Sequence, residues 1–259
     1  MSTIQILRNR DWRGFALPVA FFVLWYVATA LEWVNIKLIV PPQAVVEAGS
    51  KFITGNDFWS DVGHSLYRDL SGLLLGSLAG ILLGLALGLS RWARHAISPT
   101  FNTLTHISLF AWLPLISTWL GSGDSAKILF ILLCAFFPVA LNTYEGIRNI
   151  PRAQLEVARV YVFTRWQSVT RLILPAASPQ ILVGFHLALV YAWMGTIGAE
   201  FLLINADPGL GLTVIRGRLG FNVGLIIFGM LIIGLIGALF NHLGARIEAR
   251  VLAWRGDRV

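Results

Sequence analysis

Long apolar runs separated by short polar segments dominate the chain. Six of these runs are long enough, or nearly so, to cross a membrane as helices, which takes about 20 mostly apolar residues. They are Gly14 to about Trp33, Leu70–Ser90, Ile97–Gly123, Ile128–Tyr144, a stretch within Leu172–Ala199 and a stretch within Leu219–Ala245. Backbone polar groups cannot stay unpaired in lipid, and no alternation of period two suggests a barrel, so the runs predict helices. The predicted fold is an all-α, polytopic membrane bundle of about six transmembrane helices.

The composition supports a membrane location. Only 13% of the 259 residues are charged, 56% are hydrophobic, and the mean hydropathy is +0.72. Soluble domains carry about 25% charged residues, so this composition excludes an ordinary soluble protein, and its hydrophobicity excludes a disordered one. The one cysteine, Cys134, excludes an internal disulfide framework and a cysteine-based metal cluster.

The positive charges are unevenly distributed between the two sides of the predicted spans. With a cytoplasmic N-terminus, fourteen of the 20 lysines and arginines lie in inner segments and six in outer ones. Cytoplasmic loops carry such an excess, so we predict that both termini are cytoplasmic. The chain is then one membrane domain, 1–259, with a cytoplasmic arm at 1–13, an inner loop at 146–171 and a cytoplasmic tail at 246–259. The net charge of +7 is explained by this topology, and no nucleic-acid partner is expected.

Glycines recur at every fourth position in the second predicted span. They are Gly72, Gly76, Gly80, Gly84 and Gly88. Small residues at this spacing form a groove on one face of a helix, where the backbone of another helix can approach closely. This glycine stripe therefore predicts that the span packs inside the bundle.

A few polar and aromatic side chains inside the predicted spans are candidates for a polar pathway. They are His106, Ser108, Trp112, Asn142, Glu145, Trp193, Thr196 and Glu200. A charge at the bilayer centre costs about 2.5–3.5 kcal/mol on insertion scales, so such residues face water or a bundle interior. Two interpretations of the glutamates stay open: both reach water at the membrane interfaces, or they line or gate a pathway. No lysine or arginine is predicted inside a span, so no anion site is marked there.

The inner loop contains the most informative segment. Pro151 can start a short helix through Val160, because proline favours the first helical position. Thr164 can cap a second short helix that ends at about Leu172. Two short helices at the membrane face would form a rigid projection suited to docking a soluble partner. The alternative is a solvated loop that lies along the lipid.

Several motifs together resemble the permease subunit of a bacterial ABC importer. That family has a cytoplasmic loop that begins E-A-A and ends I-x-L-P, and this chain has Glu156-Val157-Ala158-Arg159, Thr164-Arg165-Trp166-Gln167 and Leu172-Ile173-Leu174-Pro175. Further matches are Phe110-Ala111-Trp112-Leu113-Pro114-Leu115, Trp119-Leu120-Gly121, Ser125-Ala126-Lys127-Ile128, Ala199-Glu200 and Gly209-Leu210-Gly211. They fit the subgroup that imports aliphatic sulfonates, taurine, nitrate and similar compounds, and the resemblance runs from about Val40 to the C-terminus.

The resemblance implies a set of partners and contacts. The residues carried over to the contact with an ATPase are Glu156, Ala158 and Arg159, flanked by Thr164, Arg165 and Trp166. Two copies of the chain would form the pathway in a bacterial inner membrane, with two ATPase subunits inside and a solute-binding protein outside. The chain itself would hold no cofactor, since ATP and Mg²⁺ would bind to the ATPase.

Two positions depart from the family pattern. Val162 stands where the loop usually has the glycine that permits a left-handed turn, and a β-branched residue is strained there. Thr105 and Ser108 stand where many relatives carry an arginine and a proline, so the chemistry of the third span is expected to differ.

Two other functions stay open beside the importer permease. A stand-alone secondary transporter or channel would need coupling-ion residues inside the bundle, for which Glu145 and Glu200 are the best acids. A membrane-embedded enzyme would need clustered nucleophiles, bases or metal ligands. The histidines show no metal-ligand spacing such as HExxH, and G-x-S-x-G is absent, so no catalytic or metal residue is predicted. The Walker A motif is also absent, which places ATP hydrolysis on another chain.

Overall fold

The computed structural model describes residues 13–35, 38–55, 57–205 and 207–253, and these ranges contain helices and no strands. The helices are α1 Arg13–Ala30, α2 Pro42–Thr54, α3 Asp57–Leu89, α4 Arg91–Thr105, the 3₁₀ turn Leu109–Trp112, α5 Leu113–Leu120, α6 Asp124–Arg148, α7 Arg152–Val160, α8 Arg165–Leu202, α9 Leu210–Leu219 and α10 Val223–Val251. Residues 1–12 of the predicted arm and 254–259 of the predicted tail lie outside the described residues.

Four helices, α3, α6, α8 and α10, are long and apolar enough to cross a membrane. The all-α membrane bundle is therefore confirmed. The predicted third span is broken, because α4 and Leu109–Leu120 meet at 98°, and counting this pair as one span gives five. Pro114 lies in the first turn of α5, where its missing N–H costs no helical bond, so it is compatible with a helix that begins there. The count of six spans and the side of the termini stay predictions.

Contacts group the chain into two units, which leaves the single-domain organisation a prediction. The first unit is Met1–Phe58 with Thr213–Leu231, and the second is Trp59–Leu212 with Ile232–Val259. In the first unit aromatic rings hold α2 to the start of α10. The Phe52 ring lies edge-on to Phe58 at 5.7 Å and to Phe228 at 6.4 Å between centroids.

In the second unit the glycine stripe of α3 lies against α6. A methyl group added at Gly80 would come within 2.8 Å of the Phe136 carbonyl oxygen, and one at Gly88 within 2.7 Å of the Ile147 side chain. The other three glycines of the stripe meet α6 in the same way. Because a Cβ atom has no room there, the two helix backbones approach more closely than larger residues would allow.

Helix α6 also packs along α8, which places it at the centre of the second unit. Gly184 of α8 lies against Asn142, and Gly195 lies against Cys134. The core between these helices includes Ile131, Val139 and Ala188, all with no exposed surface. Helix α6, which carries Asn142 and Glu145 of the predicted pathway residues, is therefore held on two sides.

Candidate functional site: the inner loop and a buried charge network

The loop between α6 and α8 contains the short helix predicted after Pro151, which is confirmed as α7. Val162 has a φ of +51°, and the Phe163 N–H donates to the Ala158 carbonyl at 2.9 Å. A left-handed residue followed by this six-to-one bond is the Schellman closure of a helix. The turn that the family makes with glycine is therefore kept, although an L-residue in this conformation costs about 1–2 kcal/mol.

The second predicted element of the loop begins as expected but does not end near Leu172. Thr164 caps α8: its hydroxyl accepts from the Gln167 N–H at 3.3 Å, and the Gln167 side chain accepts from the Thr164 N–H at 2.9 Å. The helix then continues through a π-helical segment, Ser168–Ile173, to Leu202. The prediction that the helix capped by Thr164 ends near Leu172, separate from the fifth span, was wrong. The π segment widens the helix without ending it, so the two predicted helices are one.

The residues carried over to the ATPase contact include one buried side chain and an exposed set. Ala158 is 8% exposed, whereas Glu156, Thr164, Arg165 and Trp166 are exposed. The side chain of Arg159 lies outside the described residues. Four large apolar residues form what we call the loop tip: Val160, Tyr161, Val162 and Trp166, which are 72–83% exposed. Exposed apolar side chains are typical of a surface that contacts a protein or a membrane.

A buried charge network lies at the opposite end of α8, around Glu200. One carboxylate oxygen of Glu200 accepts from the Arg68 guanidinium and from the Ser65 hydroxyl, each at 2.8 Å. The other oxygen accepts from the Gly211 N–H at 2.8 Å. Arg68 is fully buried and donates its Nε–H to Asp124 at 2.6 Å. Two carboxylates therefore surround one buried guanidinium.

The same network bonds the segment 208–211 to α3 and to Glu200 of α8, all within the second unit. Arg68 donates to the Pro208 carbonyl at 2.8 Å, and the Leu210 N–H donates to the Ser65 hydroxyl at 2.9 Å. The Gly209 N–H donates to the Asp61 carboxylate at 3.0 Å. A Cβ atom at either Gly209 or Gly211 would lie 2.6 Å from Glu200, so glycine is needed at both positions for this approach.

The predicted pathway residues lie in different surroundings and do not form one cluster. Trp193 and Thr196 are buried; Trp193 donates to the Ile233 carbonyl at 3.0 Å, and Thr196 donates to Asp69 at 2.9 Å. Asn142 accepts from Gln180 at 2.8 Å. His106 and Ser108 are exposed, and Trp112 and Glu145 are partly buried. Glu200 does not reach water, because it is 4% exposed and its carboxylate is fully engaged, and its part in lining or gating a pathway stays a prediction.

A cavity of about 310 Å³ opens beside the break after α4. Its lining includes Thr105, Leu109, Asn142 and Tyr191. Two predicted features of the pathway, the Asn142 side chain and the altered position Thr105, therefore face the same space. Among the described residues no group of histidine, cysteine and acidic side chains is arranged to hold a metal ion.

The sequence interpretation missed most of the charge network. Arg68 and Lys127 are 0% and 2% exposed, and Lys127 donates to Asn205 at 2.7 Å, whereas the charge count over the sequence assigns both residues to outer segments. A signal was available in the spacing. Arg68 lies four residues before Gly72, and Ser65 and Asp61 lie three and seven residues before Arg68, so all three lie on the face of α3 that carries the glycines.

Comparison with known proteins gives the family. The profile of the binding-protein-dependent transport system inner membrane component matches residues 73–253. The relative named aliphatic sulfonates transport permease protein SsuC of Bacillus subtilis is 32% identical over 245 residues, covering 95% of this chain and 88% of its own. The taurine transport system permease protein TauC of Escherichia coli is 32% identical over 93% of this chain and 88% of its own. The riboflavin transport system permease protein RibX of Chloroflexus aurantiacus is 28% identical over 98% and 95%.

Solved structures show the same fold. A chain of the bacterial alginate ABC transporter, in complex with an alginate-bound periplasmic protein, superposes with a TM-score of 0.60 at 20% identity, over 93% of this chain and 99% of its own. A chain of the inward-facing methionine transporter MetNI gives 0.59 at 20% identity, over 74% and 93%. Members of the matching family are the non-catalytic permeases of ABC transporters, and ATP is hydrolysed on a separate subunit. The chain belongs to the family of binding-protein-dependent transport system inner membrane components, as an ABC importer permease for a small solute.

Proposed function

We propose that two copies of this chain form the translocation pathway of a bacterial inner-membrane importer. Two ATPase subunits dock on the inner loop, and an extracytoplasmic binding protein delivers the solute to the segments near 205–218. ATP binding and the loaded binding protein select between inward-open and outward-open states, so transport follows alternating access. The family match supports the outline, and the geometry of the inner loop supports the docking.

The observation that carries the proposal is the loop tip. On α7 the buried residue Ala158 faces inward, while Glu156 lies about 160° further round the helix and is exposed. The acidic residue and the apolar side chains of the loop tip are therefore presented together, away from the packed face. Apolar anchors rimmed by charged groups are typical of protein–protein contacts.

Helix α8 provides a mechanical link from the docking loop to the far side of the membrane. It runs from Arg165 to Leu202 over 38 residues, which is about 57 Å at the usual rise per residue. Its first turn is fixed by the Thr164 cap, and its last turn holds 208–211 through Glu200. A displacement of the loop tip by the ATPase would thus reach the segment that we assign to the binding protein.

We assign the choice of solute to the binding protein. The solute class proposed from the relatives is a small anion such as a sulfonate, taurine or nitrate. The two buried cations within the described ranges do not recognise it directly, because Arg68 is engaged by Glu200 and Asp124, and Lys127 by Asn205.

The docking assignment is tested with Glu156→Lys in the reconstituted transporter. We expect ATP-dependent uptake and co-purification of the ATPase to be lost while the chain remains inserted in the membrane. Gln154→Lys is the matched control: it adds a positive charge on the same helix at an exposed position about 160° round from Glu156. Normal uptake by the Glu156→Lys variant with normal ATPase content would contradict the assignment.

A stand-alone secondary transporter or channel is the other candidate. It would move solute in liposomes that contain this chain alone, without ATP. The engaged carboxylate of Glu200 weighs against this function, because a coupling-ion site needs an acid that can release its partners and bind a cation.

A further inference from the structure

A basic cavity lies in the second unit, where α4 passes the end of α6. It measures about 400 Å³ and has no part in the docking or pathway described above. We call it the basic pocket, lined by Arg94, His95, Ser98, Asn102, Tyr144 and Arg148. Two arginines, a histidine and three further side chains able to donate hydrogen bonds thus face one space, and none of the described lining residues is acidic.

Arg94 is held rigidly at one wall of the basic pocket. Its Nε–H donates to the Leu87 carbonyl at 3.2 Å, and Nη2 donates to the Gly88 carbonyl at 2.9 Å. The guanidinium also lies over the Tyr144 ring, 5.8 Å from its centroid. These bonds fix the side chain but come from neutral carbonyls, so the positive charge meets no carboxylate. A pre-positioned guanidinium is well suited to binding a phosphate group.

Arg148 supplies the second cation. It is exposed at the last residue of α6, and no hydrogen bond or ion pair of its guanidinium is found within the described ranges. His95 bonds through its Nδ1 to the Arg91 carbonyl at 2.7 Å, which leaves its Nε2 for another partner. The pocket therefore carries an excess of positive charge and has unused donors.

The basic pocket lies beside the ends of two membrane-crossing helices. Helix α3 ends at Leu89 and α6 at Arg148, and the two ends are side by side because Gly88 lies against Ile147. Trp92, which is 77% exposed, lies one turn before His95 on the same face of α4. Exposed tryptophan beside arginine is typical of the membrane–water interface.

We propose that the basic pocket binds the phosphate of an anionic phospholipid headgroup. The headgroup would lie between Arg94 and Arg148, with its acyl chains against the exposed apolar surface at Leu89 and Trp92. Basic pockets between transmembrane helices at the cytoplasmic side bind such headgroups. The docking helix α7 begins four residues after Arg148, so a bound lipid would lie next to the docking site.

The test compares Arg148→Gln with Arg91→Gln in the full-length chain. Both variants remove one exposed arginine at the same end of the bundle, but Arg91 does not line the basic pocket. The chain is extracted from nanodiscs of equal phosphatidylglycerol and phosphatidylcholine, and the retained lipids are counted by native mass spectrometry. We expect the chain to retain more phosphatidylglycerol than phosphatidylcholine. Arg148→Gln should lower the affinity of the chain for phosphatidylglycerol about fivefold, whereas Arg91→Gln should leave that affinity unchanged.

A second arm separates a lipid from a soluble ion of the same chemistry. Inorganic phosphate is titrated into the lipid-free chain in detergent, with the melting temperature as readout. A stabilisation by phosphate that Arg148→Gln abolishes, without any preference for phosphatidylglycerol, would keep an anion site but overturn the lipid assignment. Equal retention of the two lipids without an effect of phosphate, or equal losses in both variants, would overturn the site itself.

Discussion

The clearest consequence of the loop geometry concerns Val162, the β-branched residue in a left-handed turn. Replacing it with glycine removes a strain of about 1–2 kcal/mol. The extra freedom of glycine in the open loop offsets about 0.5–1 kcal/mol of that gain. We therefore expect Val162→Gly to stabilise the closed turn by about 0.5–1 kcal/mol, which corresponds to a two- to fivefold change in the opening equilibrium.

The readout is local, because a single turn in a loop contributes little to the melting of a membrane bundle. The Phe163 N–H reports on the turn, since its bond to the Ala158 carbonyl at 2.9 Å breaks when the turn opens. Hydrogen exchange followed by mass spectrometry on the chain in nanodiscs should therefore be two- to fivefold slower at this amide in Val162→Gly. In Val162→Ala, which keeps a Cβ atom but loses the branch, the exchange rate at this amide should lie between that of the unchanged chain and that of Val162→Gly.

Val160→Gly is the matched control. Val160 is exposed to a similar extent but lies within α7, where its backbone is already helical. The same substitution there relieves no strain and should speed exchange at Phe163 by about twofold, the cost of glycine relative to valine in a helix. Exchange in Val162→Gly that is unchanged or as fast as in Val160→Gly would refute the left-handed assignment and the strain argument with it.

Two further predictions concern the second unit. Glu200→Gln should cost about 3–5 kcal/mol of stability, because it removes one of the two carboxylates around the fully buried Arg68. The melting temperature of the detergent-solubilised chain measures this loss. Glu145→Gln is the control at a partly buried glutamate, and an equal loss of stability there would show that the network is not responsible. Gly80→Ala should lower stability by about 1–3 kcal/mol through the clash with α6. Gly63→Ala on the same helix has open space and should raise stability by about 1 kcal/mol, so an equal response of the two variants would contradict the packing of the stripe.

Features encoded by local periodicity were accessible from the sequence. The apolar runs predict the four long helices because their length and hydropathy suffice without knowledge of the partners. Pro151 and Thr164 predict the starts of α7 and α8 because capping depends on a few adjacent residues. The four-residue spacing of the glycines in α3 predicts a close-packed face because it is visible within that one helix.

The sequence does not predict whether two neighbouring helices join into one, or the angle at which two helices meet. The end of the second loop helix was placed near Leu172, whereas the π-helical segment carries α8 onward to Leu202. The 98° break after α4 also divides the run Ile97–Gly123, which the sequence predicts as one span. Hydropathy measures composition and is insensitive to the direction of the backbone, so both features need the structure.

The buried charges show how a three-dimensional contact changes a conclusion drawn from counting. Arg68 precedes the apolar run that starts at Leu70 and was counted as an outer loop charge, but its burial is compensated by Glu200, 132 residues later. Lys127 is likewise buried and bonded to Asn205. The positive-inside rule concerns charges in loops that interact with the membrane surface, and charges buried between helices do not qualify. Removing these two from the outer set leaves four, so the asymmetry becomes fourteen to four, and the prediction of cytoplasmic termini is stronger than the sequence alone made it.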